Sequence, residues 1–596
     1  MKKIMMMSML TTAMVVLAAC TKDNANDWYQ GGVINNGGGT TDGGAVTEAT
    51  GELSTFDITI DKTTAEPSDV ATATYPEAND AISTQSFTTT VAIDMANPVE
   101  KTENGVTITV TDGKYVTADH GKTTGVCYVV SGTTTDGSLT IGGSADYEVN
   151  LNGTNITNSQ STALNLDSKK AAYVVLTGSN TLTDGTVEDH KSALYGKGKI
   201  LFSGTGSLTV NATYNNGIHA KSYVVFDKGV NVYVNATNHG IKASDAVING
   251  GIINVETAGL GAKAINCDYN ITINGGRTTV LATGNGEWDE EDMETKAACG
   301  IKCDSVLTIN GGEVYAKATG SGGKGLKADW EGYINGGKIR VITTGGLYYS
   351  NGTTENHNYK GNTDNLDDAY TSSPKGIKIG TKNEHGVLNI TGGDVMVRTA
   401  GTNGEGIESK GTLDITGGSV MVAAYDDAIN SSGDLTVSGG TVVAVGLNND
   451  GIDANGNLYF KGGTIIAYGA SGTEAGIDSD ESHALYITGG NIFAIGGRID
   501  ARLGSTSQGL VQTSGSVSAN STVTIASGST TLATFTMPPY SNSNGTILVT
   551  APDMKSGSSY TLTLGNSTQN VTASNTISSQ MGGGPGGMGG GPGGRW

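Results

Sequence analysis

A phrase of roughly 22 to 25 residues returns from Gly217 to Phe493, and a period of that length confines the chain to a stack of short coils. Each copy holds a Gly-Ile or Ala-Ile bend, an alternating stretch ending in two glycines, and a second alternating stretch. The bends run from Gly217-Ile218 through Ala264-Ile265, Gly325-Leu326, Gly376-Ile377 and Ala428-Ile429 to Gly476-Ile477, and the glycine pairs from Gly250 to Gly489. Two residues past the bend aliphatic small side chains recur, as at Ala243, Cys267, Cys303, Ala328, Ser409 and Ser479. Aliphatics two apart precede the glycine pair, as in Leu413/Ile415, and others follow it, as in Val420/Val422. Strand side chains alternate between faces, so each set points inward and stacks on its equivalent one coil away, about 4.8 Å along the axis.

The expected fold is therefore all-β: a right-handed single-stranded parallel β-helix over residues 126–500, closed by β-rich caps at 51–125 and 501–580. A β-propeller also repeats, but its four-stranded blades need about 40 residues. Met396, Met421, Val443, Ile466 and Phe493 form an outward apolar column, on which the C-terminal cap or a loop is expected to pack, a saccharide platform being the alternative. Cys267 and Cys303 fall in the small inward column of successive coils, where a thiol acts as a small apolar group and a disulfide is geometrically allowed.

The ends carry other signals. Lys2 and Lys3 precede an apolar run that closes Leu17-Ala18-Ala19-Cys20, the pattern of a lipoprotein signal (1–19) whose cleavage exposes Cys20 for acylation. Residues 20–50 read as a flexible tether and 581–596 as a disordered Gly/Pro/Met tail. The lipid would be the sole membrane anchor, placing the protein on a bacterial outer membrane or cell surface. A net charge of −22 argues against nucleic acid and favours cations. A monomer is expected.

Two positions beside each bend are read as outward: two residues before the aliphatic, and one after. In the late coils they hold Glu405 and Glu408, Asp427 and Asn430, Asp450 and Asp453, then Asp478, with Glu474 one place out of register. Carboxylates stacked at strand spacing repel by about 1 kcal/mol per pair in water and about 3 to 4 at an effective dielectric of 20. A divalent cation reverses that sign, and calcium suits an all-oxygen ligand set of loose geometry. Zinc is not favoured, since the columns offer no His or Cys set. A plain solvated acidic face is the alternative. In the earlier coils the same positions carry Lys242, Lys263, Lys302, Lys324 with Lys327, and Lys375 with Lys378. Such a column either forms ion pairs along the axis or meets the carboxylates of an acidic polymer.

Two insertions interrupt the coils beside these lysines. Residues 283–299 carry Trp288 among acids, and 343–375 carry Tyr348, Tyr349, His357, Tyr359 and Tyr370. Their rings could stack on sugars or merely pin the loops.

Tyr147-Glu148-Val149-Asn150-Leu151-Asn152-Gly153, Asn180-Thr181-Leu182-Thr183-Asp184-Gly185, Ser373-Pro374-Lys375-Gly376-Ile377-Lys378 and Asp450-Gly451-Ile452-Asp453 stand in that order along the chain. This ordered set resembles a family of bacterial secreted carbohydrate-binding β-helix domains whose name records cellulose and polygalacturonate binding and bound calcium. The resemblance implies a pectate-lyase-like solenoid, calcium at the acidic bends, and polysaccharide binding without established catalysis. The lysines at the earlier bends depart from that pattern.

The sequence thus points to a surface lipoprotein that binds acidic or cellulose-like polysaccharide and is more a binder than an enzyme. Its sugar-binding set is Lys302, Lys324, Lys327, Lys375, Lys378, Tyr348, Tyr349, Tyr359 and Tyr370. One alternative is a calcium-dependent polysaccharide lyase with Lys327 or Lys378 as base. Another is a structural spacer or adhesin.

Overall fold

The structure, a computed structural model, describes residues 52–578 except 62–64, 68–70, 187–189, 351–369, 382–384 and 481. Apart from a short 3₁₀ turn at Ile82–Thr84, its regular elements are all strands. They wind into a parallel β-solenoid of about 14 turns. Three strands make each coil: one at the bend, one before the glycine pair and one after it, as in Lys375–Ile379, Val387–Ile390 and Asp394–Thr399.

The register follows the sequence phrase. In the bend sheet Leu164 pairs with Leu194, then Ile218, Ile241, Ile265, Ile301, Leu326, Ile377, Ile407, Ile429, Ile452 and Ile477 follow in a single column. Like residues stack on like because every coil repeats one cross-section, and the apolar columns merge into one continuous core. Phe202 lies flat on Phe226, with ring centroids 5.0 Å apart and planes 3° from parallel. Cys267 and Cys303 pair in register, buried and unbridged.

The glycine pairs turn the corner. The second glycine holds a left-handed backbone, as at Gly312 (φ 76°) and Gly418 (φ 80°), which residues with a Cβ rarely adopt. Just ahead of four of these pairs an asparagine relay climbs the corner. Asn274, Asn310 and Asn335 each donate through Nδ2 to the Oδ1 of the asparagine one coil earlier, at 2.9, 2.9 and 2.8 Å.

The parallel ladders reach further toward the N-terminus than residue 126. Thr89–Asp94 pairs with Val126–Ser131, and Tyr115–Asp119 pairs with Ser138–Gly142, while Lys101–Glu103 and Val106–Thr111 add antiparallel strands. At the far end Asn542–Thr550 runs antiparallel to Ile492–Gly496, and a four-stranded antiparallel sheet spans Thr522–Thr572. The apolar column from Met396 to Phe493 is buried there against Val523, Ile525, Phe535 and Leu562, together with Leu53 from the chain's other end.

Leu53 begins a strap along the outside of the solenoid. Arg398 donates to Phe56 O at 2.9 Å, Lys317 pairs with Asp57 at 2.6 Å, and Glu66 accepts from Gly229 N at 2.9 Å. Thr74 N donates to Asn249 Oδ1 at 2.9 Å, and Lys199 pairs with Glu77 at 2.7 Å and Asp80 at 3.2 Å. The segment therefore travels from the late coils back to the early ones before Thr89 enters the first ladder.

Candidate functional site

The bend sheet aligns the charged residues as their spacing requires. One residue past the aliphatic, Lys242, Asn266, Lys302, Lys327, Lys378, Glu408, Asn430, Asp453 and Asp478 occupy successive coils. Asp500 extends the acids by one more coil. Two residues before the aliphatic, Lys263, Cys299, Lys324, Lys375 and Glu405 form the second column, continued at the equivalent bends by Asp427 and Asp450.

These positions are less exposed than alternation predicts. Lys324, Lys375, Glu408, Asp427 and Asp450 are all buried. A side chain flanked by coils at strand spacing has little solvent left, and long lysine stems cover what remains. Lys324 is further enclosed by the second insertion, donating through Nζ to Ser372 Oγ at 2.7 Å, to Gly322 O at 3.0 Å and to Ser373 O.

Burial sorts the acids into two groups. Glu405 and Glu408 meet the lysines: Lys375 pairs with both, and Glu408 is also held by Lys378 at 3.0 Å and by Lys410. Burial alone would raise the Glu408 carboxyl, but Lys375, Lys378 and Lys410 outweigh it and hold the group well below the usual carboxylate range. These two residues end the cationic stretch.

The second group is different. Oxygens of Asp450, Asp453 and Asp478 all lie within 4.8 Å of one another. Asp427 sits one coil before Asp450, accepting through Oδ1 from Asp450 N at 3.0 Å and through Oδ2 from Asn430 Nδ2 at 3.3 Å. Asp450 in turn accepts from Ala475 N. Glu474 lies outside the cluster; Ala475 takes the register position, and Glu474 accepts from the Thr473 hydroxyl at 2.7 Å. Burial and mutual repulsion push the Asp450 carboxyl up to about 8 and Asp453 to about 7. Asp478 is pushed up to about 6, by burial and then by Asp500, and Asp427 rises well above its usual range through burial and Glu405. Three convergent carboxylates whose charges are costly to hold together fit a hard divalent cation, with Asp450, Asp453 and Asp478 as its ligands.

In the cationic stretch burial and neighbouring cations act together. Lys263 is pushed down to about 8 by burial and by Lys302, and Lys324 well below the lysine range by burial and by Lys378, Lys375 and Lys327. Beside them His239 is pushed down to about 2 by burial and by Lys263 and Lys242. Lys302 and Lys327 share Asp329, at 3.2 and 2.8 Å.

The insertions dock on each other. Trp288 stacks on Tyr370 with centroids 4.9 Å apart and planes 14° from parallel, and the Tyr348 ring lies against Gly286. Tyr349 is half-buried and pairs with Thr371. Tyr348 and Tyr370 thus spend ring surface pinning the insertions. Tyr359, His357 and Cys20 lie outside the described residues.

Sequence reasoning missed Lys410 and Asp500. Asp500 has a signal, since Ile499 repeats the bend aliphatic followed by an acid; Lys410 has none, because its role depends on where its amine reaches.

Fold and site together define a parallel β-solenoid whose bend sheet passes from a cationic to an anionic stretch. The chain belongs to the family of carbohydrate-binding domain-containing proteins, whose model matches residues 104–268, 248–345 and 317–445. A carbohydrate-binding domain-containing protein of Acetivibrio thermocellus is 34% identical over 103 residues, a match covering 15% of this chain and 36% of that relative. A solved structure titled the polysaccharide lyase-like protein from C. thermocellum, a gadolinium derivative, is 23% identical with a TM-score of 0.30, covering 43% of this chain and 91% of that one.

Proposed function

We propose that the protein binds an acidic, uronate-containing polysaccharide along the bend sheet, with calcium at Asp450, Asp453 and Asp478. The observation that carries this reading is the convergence of those three carboxylates, two of which, Asp453 and Asp478, continue the stacked column of Lys302, Lys327 and Lys378. The lysines would attract the polymer's carboxylates. The bound cation would relieve repulsion in the acid cluster and supply positive charge at the anionic end of the same sheet. Family membership supports carbohydrate as the ligand, and the acidic character rests on the lysines.

The test is retention of the full chain on polygalacturonate with calcium and with a chelator. Retention should be saturable, depend on calcium and fall in an Asp453→Asn, Asp478→Asn double variant. Retention insensitive to the chelator would remove calcium from the reading. No retention on any glycan would leave a spacer or adhesin.

The lyase alternative needs a free amine to take a proton. Lys327 pairs with Asp329 and Lys378 with Glu408, although burial lowers the Lys378 pKa. We favour binding without turnover, and accumulation of unsaturated product would reverse that preference. We also propose acylation of Cys20, which labelled-lipid incorporation lost on Cys20→Ala would support.

A further inference from the structure

The small inward column of the bend sheet is alanine on either side of one interruption. Ala243 stacks on Cys267, Cys267 on Cys303, and Cys303 on Ala328, so two thiols occupy adjacent coils with alanine methyls flanking them. In-register parallel strands point equivalent side chains to one face, and their Cα atoms lie about 4.8 Å apart. A disulfide spans Cα separations of roughly 4.4 to 6.8 Å. Both cysteines stand as free thiols in the structure, 1% and 0% exposed among the aliphatic side chains of the core. The other two described cysteines are spent differently. Cys127 Sγ donates to Glu148 Oε1 at 3.0 Å, and Cys299 Sγ to Ile301 O at 3.2 Å.

The place of the pair along the chain gives it a use. Between the two cysteines run the strands Ile271–Ile273 and Arg277–Ala282 and then the whole first insertion, before the chain re-enters the bend sheet at Cys299–Cys303. The insertion makes this coil longer than its plain neighbours, so closing it costs more chain entropy. We infer that Cys267 and Cys303 are a disulfide site, whose bond forms while the insertion-bearing coil closes and staples that coil to the one before it.

The bond forms by exchange. One cysteine thiolate attacks a sulfur of a small-molecule disulfide, whose other sulfur leaves as a thiolate; the second cysteine then attacks the mixed disulfide and releases the remaining thiol. The two protein thiols lose two protons and two electrons, and the disulfide donor becomes two thiols. Burial sets the timing. In the packed core the Cys267 thiol is held well above the ordinary thiol range and the Cys303 thiol is pushed up to about 12, both chiefly by burial, so little thiolate is present to react. Exchange therefore belongs to folding, and the finished bond is sealed from reductant.

The test refolds the full chain from denaturant with oxidised glutathione and, in parallel, with dithiothreitol. Alkylation of the first product in fresh denaturant should mark Cys127 and Cys299 and spare Cys267 and Cys303. A digest without reductant should yield one linked peptide pair, lighter than its parts by the hydrogens lost. The oxidised chain should melt a few degrees above the reduced one, as expected when a loop is closed in the unfolded state. Cys303→Ala extends the alanine column, so this variant should fold and should melt alike under both conditions. The native oxidised chain should keep its bond in dithiothreitol until denaturant is added. Labelling of both Cys267 and Cys303 after oxidising refolding would overturn the inference, as would a bond from either to another cysteine. A bond that leaves the melting temperature unchanged would overturn the staple.

Discussion

At Gly376 a hydrogen atom does the work of a side chain. A Cβ there would fall 2.2 Å from Val397 Cγ1 and 2.6 Å from Gly406 O, between the third strand of its own coil and the next bend. Gly376→Val should cost about 1 to 3 kcal/mol through overpacking, read as a lower denaturation midpoint. The bend glycines were legible from sequence, and their reason is this close approach. The acid cluster supports a second expectation at this scale. Asp450, Asp453 and Asp478 are raised to about 8, 7 and 6, above the value of about 3.9 for an unfolded aspartate, so the folded chain binds more protons than the unfolded one between these limits. In chelator, stability should therefore fall as pH rises from about 4 to beyond 8. Calcium should reverse much of the loss at the alkaline end, about 2.7 kcal/mol at a hundredfold excess over its Kd, and Asp453→Asn should flatten both trends in thermal scans.

Among the elements, the corner relay is the one that sequence patterning conceals. Asn249 and Asn274 are fully buried, and Asn274 donates to Thr74 Oγ1 at 2.8 Å as well as to Asn249, while accepting from Asn310. Asn274→Ala would orphan several of these groups at once, costing about 1 to 3 kcal/mol in denaturant unfolding. The residue is visible in each Ile-Asn-Gly-Gly phrase, yet nothing in the spacing says that amides stack or that Thr74, two hundred positions away, caps them. Strands, corners and register were legible because aliphatic period and glycine placement agree at every copy. The site was legible only as columns. Alternation assigns Glu408 to solvent; its burial under Lys375, Lys378 and Lys410 depends on how far long side chains reach across coils.

For the molecule as a whole, nearest-neighbour stacking governs cooperativity, since each coil touches chiefly the next. The strap is the exception, because residues 53 to 80 contact coils from Arg398 to Lys199. Its contacts are mostly polar and near the surface, so hydrogen exchange in the described residues of 52–80 should outpace exchange in the bend sheet by orders of magnitude. Arg398→Ala should speed it further around Ser54 and Phe56, whose carbonyls that guanidinium holds. Equal rates in strap and bend sheet would mean that the two open as one unit.

That route has a mechanical meaning. Traction applied on the amino-terminal side of Glu52 arrives beside Met396 and Met421, many coils away from the first. It would then work backward, Leu53 and Arg398 yielding before Glu66, Thr74 and Asp80. Under such a load the contacts along the flank would let go one after another, shedding force before any rung of the solenoid is asked to part.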